Sequence, residues 1–367
     1  MEAEAGAAQL TPLNKAAPAP VSRRVFLMML AGISLLTGLD AGLVRLGVWA
    51  PVANGRLADL HGPLMVLGFM GSLISLERAQ ALRNRLAYAA PALLGAGALV
   101  MISGVFPVLG KLLLFDGALA FVAVMVALYR RAPLPLVGAQ VVGAVLACLA
   151  TALLISVEVP ALLPLLAGFI VVTIAAERAE LAQLTMGRRA VPTLVAASAW
   201  LSLSAVSALL WPGFGDRIFG VGVLFVALWL IRDDVGRRLI RSEGLRRYNA
   251  AALLLGNIWL AVAGLTWVIV GRPEAVGTYD VVVHGTFLGF AMSMIMAHAP
   301  IIFPTVLSRP LPYRPAMWVP LTVLHLGMVV RVLGALTGSV LYQIGGAMTV
   351  VSILLFAATA MYSAVRA

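Results

Sequence analysis

Residues 68–79 read "GFMGSLISLERA" and residues 168–179 read "GFIVVTIAAERA". The two match without gaps at Gly, Phe, Ile, Glu, Arg and Ala. A third stretch, "GFAMSMIMAHAP" from Gly289, keeps the Gly, Phe and Ile. It puts His298-Ala299-Pro300 where the others have Glu-Arg-Ala. Self-similarity at a fixed interval marks a fold assembled from like units, so these three phrases decide how the rest of the chain is read.

Each phrase lies inside an apolar run of about twenty residues, the length that crosses a bilayer as a helix. The 367 residues are 62% hydrophobic and 11% charged, with a mean hydropathy of +1.02. The runs are continuous rather than alternating. That favours helices, which satisfy their own backbone hydrogen bonds in lipid, over a barrel. Twelve spans are expected. The phrases fall on the second (about 60–81), sixth (160–182) and tenth (281–305), four spans apart each time.

The expected fold is therefore an all-α polytopic membrane protein. It has about twelve transmembrane helices in three pseudo-repeated four-helix units, near 25–129, 134–232 and 250–364. A unit with an even number of spans keeps its orientation, so the axis relating the units runs along the membrane normal, unlike the inverted repeats of many transporters. Residues 1–22, rich in Ala and Pro and without periodicity, read as a disordered cytoplasmic tail before a single transmembrane domain, 23–367. The apolar stretch after Arg23 and Arg24 is long and lacks a small-x-small cleavage site. It reads as an uncleaved helix rather than a signal peptide.

The net charge of +11 does not imply a nucleic-acid partner, because the cations sit between apolar runs. All but Arg45, Arg56, Lys111, Arg217, Arg272 and Arg331 are expected on one face, together with the basic link "IRDDVGRRLIRSEGLRRYNA" at 231–250. The positive-inside rule puts that face, and both termini, in the cytoplasm of a bacterial-type inner membrane. The lone Cys148 excludes an intramolecular disulfide and a multi-cysteine metal site. No Walker loop, dinucleotide fingerprint or serine elbow is present, so a soluble-type active site is not expected. Pro300, Pro304, Pro310, Pro312 and Pro315 are expected to end the tenth span and stiffen the turn after it.

Four histidines remain as candidates, since ionisable groups within a membrane mark function by default. His61 and His284 begin the second and tenth spans at one outer depth, on equivalent helices of units one and three. Counted back from the shared Gly-Phe, they are two residues out of register, roughly 200° apart around a helix. Neighbouring helices around a threefold axis must use different faces to point at each other, so the pair can meet. Two imidazoles across a gap at equal depth suit bis-histidine haem ligation. Arg331, at similar depth on the eleventh span, is placed to pair with haem propionates. Trp49 and Trp267 are expected at the same interface. At the inner level, Glu77, Glu177 and His298 share one register. They form a candidate proton- or ion-binding ring, with Arg78 and Arg178 beside the carboxylates. Asp40 and Asp116 have no evident partner.

With "LHGPLMVLGF" on the second span and "HGTFLGF" on the tenth, the chain resembles the haem–copper oxidase subunit I superfamily. In size it resembles the NnrS family, haem- and copper-containing membrane proteins associated with nitric-oxide metabolism. The resemblance implies haem b with His61 and His284 as its axial ligands, a redox partner, and a role in electron transfer or nitric-oxide handling. It also departs from the oxidases. They place a copper ligand on the sixth span and a histidine pair on the seventh, and here neither span has a histidine. Oxygen reduction by a six-histidine centre is therefore excluded. His298 and His325 are left for a second, weaker metal site, with copper as its candidate. The alternative function is a proton- or cation-coupled transporter or channel through Glu77, Glu177 and His298.

Overall fold

The computed structural model describes residues 20–367, and every regular element among them is helical. Most of the tail expected over 1–22 lies outside the described residues. Its last residues do not, and Val21 already begins a helix. Eleven helices are long and apolar enough to cross a bilayer. They are α1 (Val21–Leu46), α3 (Arg85–Ser103), α4 (Pro107–Arg131), α5 (Pro135–Leu153), α6 (Val159–Ala182), α7 (Ala190–Leu210), α8 (Phe214–Asp233), α9 (Gly244–Val270), α10 (Val276–Val306), α11 (Pro315–Thr337) and α12 (Leu341–Val365). A further helical run, α2 (61–82), lies where the second span is expected and changes its winding partway.

Chain neighbours pack as antiparallel pairs, most extensively α3 on α4, α5 on α6, α8 on α9 and α11 on α12. The centre is held by the helices that carry the repeated phrase. In the most apolar window of α6, 78% of residues are buried, and 72% in α10, against 33% in α12. The phenylalanine after each shared glycine is buried in all three copies: Phe69, Phe169 and Phe290. A helix that is apolar all round and covered by other helices belongs at the core of a bundle.

Two of the central helices share an uncommon local feature. Leu64–Gly71 and Gly285–Met292 both wind as π-helix, with i to i+5 hydrogen bonding. Each runs from four residues before the shared glycine to three after it. In α6 the residue four before that glycine is Pro164, and the helix there stays α. Wide turns of this kind are rare and often sit beside functional groups. Here each begins just after a histidine, His61 or His284.

The expectation that Pro300 and Pro304 end the tenth helix is not met. Both lie inside it, and the helix runs on to Leu307 before Ser308, at φ +55°, turns the chain out. In a bundle, neighbouring helices and local adjustment of the winding compensate the lost amide bond. Trp267 does not face the surface of the bundle. It is fully buried, edge-on to Phe219 at 5.0 Å, whereas Trp49 is exposed.

Close approach at the centre depends on small residues. A Cβ on Gly289 would lie 2.5 Å from two atoms of Trp259 on α9, so only glycine lets α10 sit there. Gly289→Val is expected to cost about 1–3 kcal/mol through overpacking. It should lower the thermal unfolding midpoint in detergent. Gly32→Ala on α1, with nothing within 4 Å, should leave that midpoint unchanged or raise it slightly.

Candidate functional site

The level that holds His61 and His284 is built from five elements. His61 opens α2 and leans on α1, with its Nδ1 2.7 Å from the Gly38 carbonyl. The ring lies over Gly42, where a Cβ would approach its Cε1 to 3.0 Å. On α10, one turn after Asp280, His284 places its Nδ1 3.0 Å from Asp280 Oδ1 and 3.2 Å from the Asp280 carbonyl. The ring centres of the two histidines are 6.2 Å apart and tilted by 30°.

Each Nδ1 faces an oxygen that can only accept. The proton of each neutral ring is therefore assigned to Nδ1, and Nε2 carries a lone pair. His284 Nε2 is approached at 3.4 Å by Arg331 Nη2. Fixing one ring nitrogen on a carboxylate or carbonyl so that the other is left basic is the arrangement found around metal-ligating histidines.

Asp280 is the hub of this level. Its buried carboxylate accepts from Arg331 Nε at 2.8 Å and Nη2 at 2.6 Å, and from the Tyr342 hydroxyl at 2.9 Å. The Arg331 guanidinium also lies over the Tyr342 ring, 5.1 Å from its centre. A planar fork on a carboxylate combined with ring stacking is a use that lysine could not reproduce. Arg331, expected to meet propionates, is thus engaged with Asp280 and fixes His284 through it. Asp280 and Tyr342 were not singled out from the sequence. The i, i+4 spacing of Asp280 and His284 was the signal available for the first. Nothing local marks Tyr342, which arrives from α12.

His325 belongs to neither level. Trp259 Nε1 donates to its Nδ1 at 3.0 Å, which puts the ring proton on Nε2, 3.3 Å from Ser293 Oγ. That hydroxyl donates onward to the Gly289 carbonyl. Among the described residues no group of three or more His, Cys, Asp or Glu is arranged to hold a metal ion. Asp40 does have a partner, the Val52 amide at 3.0 Å, and Asp116 is exposed on α4.

The inner level gathers the three phrase-ends. A cavity of about 80 Å³ is lined from α2 by Met70, Ile74 and Glu77, from α6 by Ile170, Ile174 and Glu177, and from α10 by Ala291, Ile295 and His298. These are the positions two, six and nine residues after the shared glycine in every copy. A second cavity of about 90 Å³ between α1, α2 and α10 also reaches Glu77 and His298. Arg78 Nη2 lies 3.0 Å from Glu177 and 3.7 Å from Glu77. Arg178 forks onto Asp234 at 2.9 and 3.1 Å and donates at 2.9 Å to His298 Nε2. His298 Nδ1 then donates to the Met294 carbonyl. Both nitrogens of His298 are therefore occupied.

The family described as "Domain of unknown function (DUF8744)" matches residues 24–365. The chain belongs to that family. The match takes in every helix from α1 to α12 and both levels of the candidate site, so this DUF8744 domain is the bundle itself. A comparison with curated proteins found no match.

In this DUF8744 chain the Arg178–Asp234 pair is the most enclosed part of the inner level, with side chains 8% and 2% exposed. Asp234→Ala leaves a buried guanidinium short of its counter-charge, and the expected cost is about 3–5 kcal/mol. Asp233→Ala, which removes the partner of the exposed Arg232 (68% exposed), should cost no more than ~1 kcal/mol. Thermal unfolding of the two variants side by side in detergent measures the difference.

Proposed function

We propose that the chain is a twelve-helix inner-membrane protein that binds one haem b between His61 and His284. One observation carries the reading: the two imidazoles are neighbours with ring centres 6.2 Å apart, each with Nδ1 held by an oxygen acceptor and Nε2 left as the basic nitrogen. The 6.2 Å between their ring centres would let both rings hold one iron-bearing group. Two side-chain donors are too few for a bare ion, but they complete the coordination of an iron whose other four positions are filled by a macrocycle.

His61 and His284 would be the axial ligands, with Asp280 and Arg331 fixing the orientation of His284. When bound, the haem would supply one-electron redox chemistry, used in electron transfer to a redox partner or in nitric-oxide handling. The resemblance to the NnrS and oxidase sequences supports this role. Copper is not favoured at His298 and His325, whose ring nitrogens are engaged at 2.8–3.3 Å, whereas His284 Nε2 has only the 3.4 Å approach of Arg331 Nη2.

The twelve helices include α2 as a span and form three units about an axis along the membrane normal. The support is that equivalent positions of α2, α6 and α10 line one cavity. The basic loops support an orientation with both termini cytoplasmic. A second reading, a cation pathway, draws on the same cavity. Two of its three ring positions, Glu177 and His298, are already engaged by arginines.

Expressed in haem-replete cells and purified in detergent, the protein should give the reduced-minus-oxidised bands of a b-type haem. His61→Ala and His284→Ala should lose them, and His325→Ala should keep them. Absence of the bands from the unaltered protein would sink the proposal. Asp280→Asn should keep the spectrum but weaken haem retention by roughly 10- to 100-fold, the range expected for a group that orients a ligand. Haem transfer to apomyoglobin would measure that loss.

A further inference from the structure

The arginines of the inner level follow a rule that runs around the bundle. Arg78, ten residues after the α2 glycine, reaches position nine of the next unit, Glu177, at 3.0 Å. Arg178, ten residues after the α6 glycine, reaches position nine of the third unit, His298, at 2.9 Å. The third link would run from position ten of α10 to Glu77. That position is Ala299, so no cation is supplied. Ala299 lines the same cavity as Glu77.

From this broken circuit we propose that Glu77 is an exchangeable proton site opening on the axial cavity. The inference rests on the three-unit register and not on the haem. One guanidinium, Arg78, stands between two carboxylates, 3.0 Å from Glu177 and 3.7 Å from Glu77. That leaves one negative charge over in a confined, largely apolar chamber, where an unpaired charge is costly. Taking up one proton converts the Glu77 carboxylate to the neutral acid and removes the surplus. Releasing it restores the anion, and no electron moves.

The other charged groups around Glu77 are already committed. Glu180 on α6 accepts from Gln140. Arg178 is bound to Asp234 and His298. From α1, Arg24 donates to the Thr305 carbonyl and Ser308, and from α4, Arg131 donates to the Ala81 and Leu82 carbonyls. Each has its hydrogen-bond partners elsewhere. The ligand is a proton rather than a metal cation because, apart from Glu77, the arginine-bound Glu177 and His298, the wall is made of apolar side chains such as Leu73, Ile74, Ile174 and Ile295. These offer no oxygens, whereas a hard cation needs about six. The two cavities, of about 80 and 90 Å³, have room for a few waters by the volume each requires.

The test is infrared difference spectroscopy across a pH ramp on the full-length protein in lipid vesicles. One carboxylic-acid C=O band should disappear as pH rises. It should be lost at all pH values in Glu77→Gln and kept in Glu180→Gln. Ala299→Arg, which leaves Glu77 in place and restores the missing cation, should also lose it. So should Glu177→Gln, which releases Arg78 to Glu77 and serves if the larger side chain at 299 prevents folding. A band that persists in Glu77→Gln overturns the assignment. So does one that ignores both charge-restoring changes, or one displaced by sodium at fixed pH. Haem spectra recorded on the same samples keep the two proposals apart: the carboxyl band is expected with or without bound haem, and Glu77→Gln should leave any haem bands unchanged.

Discussion

A charge held among apolar helices has to find its counter-charge on another element, because no water is available to solvate it. That requirement organises this bundle. Asp280 of α10 meets Arg331 of α11, and Arg178 of α6 meets Asp234 at the end of α8. Arg78 of α2 meets Glu177 of α6, while Asp216 of α8 meets Arg272 beyond α9. Each pair joins two elements and so fixes how each helix is rotated about its own axis. The aim of His284 follows from one of them. With Asp280 clamped by Arg331 and Tyr342, the imidazole one turn later is held by the same carboxylate.

The repeat and its exceptions have different roles. What recurs is packing. The glycine permits close approach, the phenylalanine fills the core beside it, and positions two and six line one cavity. What varies is chemistry. Histidines occur near the outer ends of α2 and α10 but not α6, and the same two helices carry the π-wound turns. At the inner end the third unit exchanges Glu-Arg for His298-Ala299, which breaks a sequence of arginine contacts that otherwise passes from unit to unit. Three equal units would make a symmetric scaffold, and the departures give it two distinct ends.

Much of the site could be read along the chain because helical periodicity converts spacing into position. The shared Gly-Phe supplied a depth scale, and on that scale His61 and His284 came out level, as did Glu77, Glu177 and His298. The spacing could not supply partners. Arg331 was legible as an intramembrane cation, but its meeting with Asp280 depends on α11 lying against α10. His325 read as part of a second, weaker metal site, but Trp259 and Ser293 occupy its two nitrogens. Pro300 and Pro304 read as helix breakers because sequence carries no record of the neighbours that stabilise a proline inside a helix.

The sequence by itself determined the helical, bilayer-compatible class, the position of each ionisable group along its helix and the three-fold recurrence of one phrase. All of these depend only on hydrophobic run length and residues per turn, which are local quantities. The tertiary structure decided which way each side chain faces and which nitrogen or oxygen is left unused. Those outcomes depend on helix rotation and on contacts between residues up to 284 positions apart, as between Arg24 and Ser308. Hydrogen-bond geometry, satisfied or not within a few tenths of an ångström, separated His61 Nε2, which has no hydrogen-bond partner among the described residues, and His284 Nε2, with one long contact, from the engaged nitrogens of His298 and His325.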